Sequence, residues 1–235
     1  MHVDVITPFP GMIEPFFNES MLKRACDKGV VTISTVNLRD FTFDKHRTVD
    51  DAPYGGGPGM ILKPEPIFLA VDSLKKKNPK SGSRVIFMSP QGEPYTQEKA
   101  FELAKESHLI FICGHYRGVD QRVVDALVTD EISIGDYILT GGELAAAVVI
   151  DSVVRLLPGV LGDFDSAEKD TFTCGILDHP HYTRPEVFNG MKVPEVLLSG
   201  HHAKIEEWRK QKALEKTKEK RPDLLKKESS DKTSK

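Results

Sequence analysis

Along the first two-thirds of this chain, short runs rich in β-branched and aromatic residues alternate with stretches whose apolar positions recur at helical spacing. The runs Val3 to Thr7, Val31 to Val36, Arg84 to Met88, Leu109 to Cys113 and Glu131 to Ile134 are expected as strands. Helices are expected over Asn18 to Asp27, Pro64 to Lys76, Gln97 to Glu106 with Thr96 as N-cap, Asp120 to Leu127, and Glu143 to Leu157. Strand and helix in alternation signal an α/β fold with a parallel sheet. The helix from Glu143 is apolar almost all the way round, so it needs cover on most sides, which a subunit interface could provide.

From Pro158 to Ser199 the periodicity fails and Pro, Gly, Asp and Thr accumulate, so a long loop or linker is expected. Beyond it, His202 to Leu214 reads as a helix with Ile205 and Trp208 three residues apart, and the last ten residues, KKESSDKTSK, read as disordered. The expected organisation is a domain over 1–160, a linker or active-site loop over 161–176, a small helical domain over 177–225 and a tail over 226–235.

Composition fits a soluble globular chain, with 39% hydrophobic and 29% charged residues. The longest apolar stretch, Leu144 to Leu157, is broken by Asp151, Ser152 and Arg155 and is too short to span a bilayer. The opening MHVDVITPFPGM lacks the basic, apolar and small-residue regions of a secretory signal, so a cytoplasmic protein is expected. Cys26, Cys113 and Cys174 are widely spaced with no C-x-x-C pair, which argues against disulfides and zinc. The pairs His179/His181 and His201/His202 lack a carboxylate or cysteine at a recognised ligand spacing, and no metal site is expected. The net charge of -3 conceals an asymmetry: from Gly200 onward twelve Lys or Arg face seven Asp or Glu, a local +5. Such a segment suits a phosphate backbone, and equally a solvated helix face.

Ligands of open parallel sheets bind outside the carboxyl ends of the strands. Three strands here are followed by glycine-bearing segments: Ser89-Pro90-Gln91-Gly92-Glu93-Pro94, Gly114-His115-Tyr116-Arg117-Gly118, and Gly135-Asp136-Tyr137-Ile138-Leu139-Thr140-Gly141-Gly142. One such loop is most simply a tight turn. Three in consecutive units suggest a shared site in which backbone groups approach a ligand closely. No G-x-G-x-x-G follows the first strand, and the glycine-rich stretch Tyr54 to Met60 lacks the ending of a P-loop. A ligand held by backbone loops without a phosphate cradle could be a nucleoside such as S-adenosylmethionine.

At these loops the chain strongly resembles the tRNA (guanine-N1)-methyltransferase family of the SPOUT superfamily. The resemblance rests on DVITPFPGM (4–12), VDDAPYGGGPGM (49–60), SPQGEPY (89–95), CGHYRGVDQRV (113–123), DEISIGDYILTGGELAA (130–146), RLLPGVLG (155–162), HPHYTRPE (179–186) and VPEVLLSGHHAKIEEWR (193–209). It implies a domain with a C-terminal trefoil knot, an exception to the rule that chains avoid knots, and a small helical C-terminal domain that binds tRNA. The implied partners are tRNA, rather than DNA, and a second copy of the chain in a homodimer; no membrane attachment is implied. The implied reaction moves a methyl group from S-adenosylmethionine to N1 of the guanine 3′ to the anticodon, position 37. Activity on another RNA, or a catalytically impaired RNA-binding homologue, is the alternative.

By the same resemblance Pro90, Gln91, Gly114, Tyr116, Gly118, Ile134, Gly135, Asp136, Tyr137, Ile138, Leu139, Gly141 and Gly142 hold the cofactor, and Asp170 and Arg155 are catalytic. Guanine N1 carries a proton at neutral pH, so a carboxylate able to accept it fits the chemistry, and an arginine suits charge accumulating on O6. Asp170 read alone is an exposed loop acid, and Arg155 read alone pairs with Asp151 one turn earlier. The chain departs from the family's pattern at Arg117, where a glutamate associated with the cofactor's methionine end or with Mg2+ is expected. An arginine cannot coordinate a cation, which argues against magnesium assistance here; alternatively Arg117 points outward to RNA phosphate.

Overall fold

Each of the five β-rich runs forms a strand, and all five lie parallel in one sheet. The computed structural model describes residues 1–78, 82–161, 171–172 and 175–225. It divides into two units, Met1–Gly162 and Asp163–Lys235. In the first, β1 (His2–Thr7), β2 (Thr32–Asn37), β5 (Ser83–Pro94), β6 (His108–Cys113) and β7 (Asp130–Ser133) stand in the order β2-β1-β6-β5-β7. A minor antiparallel pair, β3 (Asp50–Asp51) and β4 (Ile61–Leu62), brackets the glycine-rich stretch between them. Six helices belong to this unit: α1 (Glu14–Phe17), α2 (Ser20–Asp27), α3 (Pro64–Lys77), α4 (Gln97–Leu103), α5 (Gln121–Leu127) and α6 (Glu143–Val154).

All six residues of β6, HLIFIC, are buried, as a central parallel strand covered on both faces requires. Alternation sends Ile110 and Ile112 to one face, into a cluster with Ile6, Val85 and Phe87 and with Ile67, Ala70, Val71 and Leu74 of α3. On the opposite face α6 packs on β1 and β6, beside α2 and α4. Fully burying each such aliphatic side chain contributes about 1.5 to 3 kcal/mol.

Two differences from the expected elements have clear physical causes. The strand expected to end at Met88 continues to Pro94, because Met88 and Glu93 both pair with Ile132 and the residues between them bulge out of the sheet. Gly92 makes this possible, since a Cβ there would lie 2.4 Å from the Ile132 nitrogen. The helix expected to reach Leu157 ends at Val154, and its last turn tightens as Leu156 N and Leu157 N donate to the carbonyls three residues back. Its apolar character leaves Leu144 and Val148 about half exposed, one turn apart.

The second unit contains β8 (Val187–Phe188), β9 (Met191–Lys192), α7 (Glu195–Leu198) and α8 (His202–Lys220). The expected loop up to Ser199 therefore holds a hairpin and a short helix. Asn189 and Gly190, both with positive φ, make the hairpin turn, a local signal that the failing periodicity obscured. Helix α8 outruns the expected Leu214 because Lys and Glu favour helix even where no apolar face continues. The expected tail over 226–235 lies outside the described residues, as does Cys174. No described helix is long and apolar enough to cross a membrane.

One charged cluster ties β5 to β7 and α4. Arg84 Nε donates to Asp130 Oδ2 at 2.8 Å and Nη2 to Glu102 at 2.9 Å, while Lys99 Nζ reaches Asp130 at 3.3 Å. Burial alone would raise the Asp130 carboxyl, but hydrogen bonds from Arg84, Thr129 and Lys99 and the charge of Arg84 outweigh it and hold it at about 2. A carboxylate depressed in the folded state stabilises above its unfolded pKa and loses that contribution as pH falls through the folded one. The cluster's stabilisation should therefore disappear between an ordinary pH of 3.8 and about 2. Urea titrations across this window should show a steeper loss for the native chain than for Arg84→Met, which should itself cost about 2 kcal/mol at neutral pH.

Candidate active site

The carboxyl ends of β5, β6 and β7 enclose a cavity of about 400 Å³, within the range of a small-molecule site. Its first wall is the bulge of β5, where Ser89 Oγ accepts a hydrogen bond from Gln91 N at 3.1 Å. Tyr95 fixes the far side of the bulge, with its N–H on Ser133 O at 2.8 Å and its hydroxyl 2.6 Å from Ser152 Oγ of α6. The second wall is the turn after β6, where Gly118 N donates to His115 O at 2.9 Å. That turn is clamped from outside by Arg117 N to Met60 O and Leu62 N to Gly118 O.

The third wall, the segment after β7, returns to the second. Gly142 N donates to Gly114 O at 2.9 Å, and His115 bridges to Gly141. A Cβ on Gly142 would lie 2.9 Å from Cys113 Cα, backbone that cannot yield, and one on Gly141 would press on the Glu143 carboxylate and the His115 ring. Along this segment Tyr137, Ile138 and Leu139 leave apolar surface exposed, as does Tyr116 across from them. The cavity thus offers backbone polar groups together with bare apolar and aromatic surface, and among the described residues its lining holds Arg117 and no Lys.

All the residues expected to hold a cofactor line this cavity except Asp136, which is exposed and does not contribute to the lining. Arg155 is not brought to it. It stands half-buried at the C-cap of α6, at the other end of a twelve-residue helix that begins beside the cavity at Gly142. At 1.5 Å per residue the helix separates the two by about 18 Å. Asp170 lies outside the described residues.

Other residues of the site were not anticipated. His115, Gln121 and Glu131 also line the cavity. His115 packs on the Phe9 ring, centroids 4.6 Å apart, and its buried Nδ1 has no hydrogen-bond partner among the described residues. Beneath the third wall Glu143 is fully buried in the first turn of α6 and accepts the Thr7 hydroxyl at 2.6 Å. Burial first and the Glu143 charge second push the Cys113 thiol up, so Cys113 stays protonated and is no nucleophile. The sequence held the signals for His115 and Gln121, which sit within or just after the expected loops, but none that linked Thr7 to Glu143.

Arg117 lines the cavity and also makes a contact that the sequence did not suggest. Its Nη1 donates to Pro58 O at 2.9 Å, and its side chain lies where a Cβ on Gly59 would touch it at 2.9 Å. It braces the glycine-rich stretch between β3 and β4 against the rim of the cavity.

Comparison with known proteins agrees with this architecture. A family model described as tRNA (Guanine-1)-methyltransferase TrmD matches residues 1–227. The tRNA (guanine-N(1)-)-methyltransferase of Shouchella clausii is 62% identical over 226 residues, covering 96% of this chain and 92% of that one. Its counterpart in Anoxybacillus flavithermus is 63% identical over 225 residues, 96% and 91% of the two chains. That of Desulforamulus reducens is 57% identical over 226 residues, 96% and 89%. Identity of this extent, over nearly the whole length of each protein, shows that the chain belongs to the tRNA (Guanine-1)-methyltransferase family.

Proposed function

We propose that this protein transfers a methyl group from S-adenosylmethionine to N1 of the guanine at position 37 of tRNA, in the cytoplasm. The observation that carries this reading is the cavity at the ends of β5, β6 and β7, in a chain 57 to 63% identical to proteins named for guanine-N1 methylation. The cavity suits the cofactor by its volume, its backbone donors and acceptors, and the unpartnered His115 Nδ1. Bound there, S-adenosylmethionine supplies an electrophilic methyl group on a sulfonium centre.

The segment Ile134 to Leu139 and Gly114, with Pro90, Gln91, Tyr116, Gly118, Gly141 and Gly142, holds the nucleoside, and Tyr137 and Ile138 shield it from water. Asp170 accepts the N1 proton of guanine as the methyl group arrives, which leaves the methylated base neutral. Arg155 stabilises charge on O6 during the transfer. Magnesium is not held through Arg117, which offers no ligand atom. The second unit with its +5 segment meets the tRNA backbone, on a division at 1–160, 161–176, 177–225 and 226–235.

Two further features of this reading have support in the fold. A trefoil knot is supported by the path of the chain after β7, which leaves the sheet edge, crosses to Gly114 and continues into α6 against β1 and β6. A homodimer is supported by the groove of Met12, Ile13, Phe16, Leu144, Ala147 and Val148, apolar surface that a second copy would cover. The dimer also answers the distance of Arg155 from its own cavity, since this arginine would serve the cavity of the other copy.

Three outcomes test the reading. Asp170→Ala should lower the single-turnover methylation rate of a tRNA transcript by ~10² to 10⁴ while S-adenosylhomocysteine affinity stays within twofold, about the range of general-base loss. Retention of a third of the native rate would remove Asp170 from this role. Gly142→Ala should weaken S-adenosylhomocysteine binding by calorimetry and cost roughly 1 to 3 kcal/mol in stability, because the added methyl meets backbone that cannot yield. Val148→Glu, at a half-exposed position, should leave the circular dichroism unchanged yet give a 26.2 kDa species by sedimentation with methylation lost. A dimer of full activity would count against the proposed interface.

A further inference from the structure

The segment following the described pair 171–172 carries a cluster that the spacing of histidines did not suggest. Asp178 immediately precedes His179 and lies three residues before His181, so the carboxylate missing from the histidine pair is its own neighbour in the chain. One ligand atom from each of the three side chains falls within 4.8 Å of the others. His181 Nε2 lies 2.7 Å from Asp178 Oδ2, and His179 Nε2 lies 3.8 Å from Asp178 Oδ1. Around a tetrahedral ion with bonds of about 2.0 to 2.1 Å, ligand atoms stand roughly 3.3 Å apart, so a set already within 4.8 Å lies near that spacing. Small rotations of two imidazole rings whose centroids are already 4.3 Å apart would close the set.

Independent features orient the cluster for this task. His179 Nδ1 lies 3.1 Å from Pro180 O. A carbonyl can only accept, so Nδ1 carries the proton and Nε2 presents its lone pair, the arrangement that metal-bound histidines adopt. The backbone of the segment is pinned on both sides of Asp178: Leu177 N donates to Thr217 Oγ1 at 3.0 Å, Asp178 N to Thr171 Oγ1 at 3.1 Å, and Lys216 Nζ to Asp178 O at 3.1 Å. Thr217 is fully buried in α8, so the platform is anchored in the core of its unit. His181 is exposed, which leaves the ion accessible and one coordination position open.

We propose that Asp178, His179 and His181 form a mononuclear site for a borderline divalent ion of the Zn2+, Co2+ or Ni2+ class. Two imidazoles and one carboxylate suit these ions, whereas Mg2+ and Ca2+ prefer oxygen ligands alone. On binding, His181 takes the tautomer with its proton on Nδ1, and its Nε2 and Asp178 Oδ2 turn from each other to the ion. The ion cross-links the segment ending at His181 and, through Asp178 and Thr171, restrains the residue that follows Asp170 in the chain.

The molecule has one tryptophan, Trp208 of α8, whose ring centroid lies 6.4 Å from that of His179. It serves as an internal reporter. Untagged, chelator-stripped full-length protein titrated with Co2+ should show saturable one-to-one quenching of Trp208 emission, reversed by Zn2+ and unaffected by excess Mg2+. His181→Ala and Asp178→Asn should each weaken Co2+ binding by at least about tenfold, while His202→Ala leaves it unchanged. Because His181 is exposed, His181→Ala should retain the native circular dichroism and decides the matter if Asp178→Asn does not fold. Absence of saturable quenching, or equal Co2+ affinity in the native chain and His181→Ala, would overturn the proposal.

Discussion

The contact on which the first unit depends is the close approach of two backbone segments at Gly142 and Gly114. A hydrogen bond of 2.9 Å joins them, and a methyl group on Gly142 would collide with the Cα of Cys113. Because the segment after β7 is pinned there, α6 begins against the centre of the sheet and not at its edge. Glu143 in its first turn is thereby brought under the site, where the Thr7 hydroxyl from the end of β1 meets it. The two loops joined at this point are also two of the three walls of the cavity. One backbone junction thus positions the last helix, a buried carboxylate and the site together.

The walls achieve their shape at a conformational cost. Glycine in an ordered segment loses more freedom on folding than any other residue, roughly 0.5 to 1 kcal/mol relative to alanine in regular structure. The apolar side chains of Tyr137 and Ile138 remain in water. Neither feature favours the folded chain by itself. Both suit a surface that closes on a flat, partly apolar ligand, so stability is provided by the buried sheet and its helices and recognition by the loops. Leu144 and Val148 of α6 are likewise about half exposed, apolar surface that adds nothing to the stability of the single chain.

What the sequence made legible was what local pattern decides. The five strands emerge within a residue of their expected bounds, apart from β5, because each is a short run rich in β-branched and apolar residues, from the half-exposed edge strand β2 to the fully buried β6. Ser89 to Gly92 looked like the end of β5, since Pro90 cannot donate to a ladder and Gly92 usually marks a turn. The strand resumes at Glu93 only because Ile132, 39 residues further along the chain, offers the pairing, and no local signal carries that. Loop residues such as Gly114 and Tyr137 were traceable because they directly follow strands. The Thr7 to Glu143 hydrogen bond and the approach of Asp178 to His179 and His181 depend on the path and rotamers of the folded chain. Arg155 was assigned by resemblance alone, and its distance from the cavity became apparent only once α6 had a direction.

Arg117 shows how one long side chain can be accommodated by its surroundings. A glutamate in its place could not donate to Pro58 O, and the hydrogen bond that braces the glycine-rich stretch would be lost. Gly57 and Gly59 leave the space that the longer side chain needs. Yet a guanidinium carries five N–H donors, and the Pro58 carbonyl is neutral, so this bond fixes the charge in position without cancelling it. The charge of Arg117 therefore stays at the rim of the cavity, whose lining also includes Glu131. Arg117 thus belongs at once to the lining of the cavity and to the brace of the glycine-rich stretch beside it.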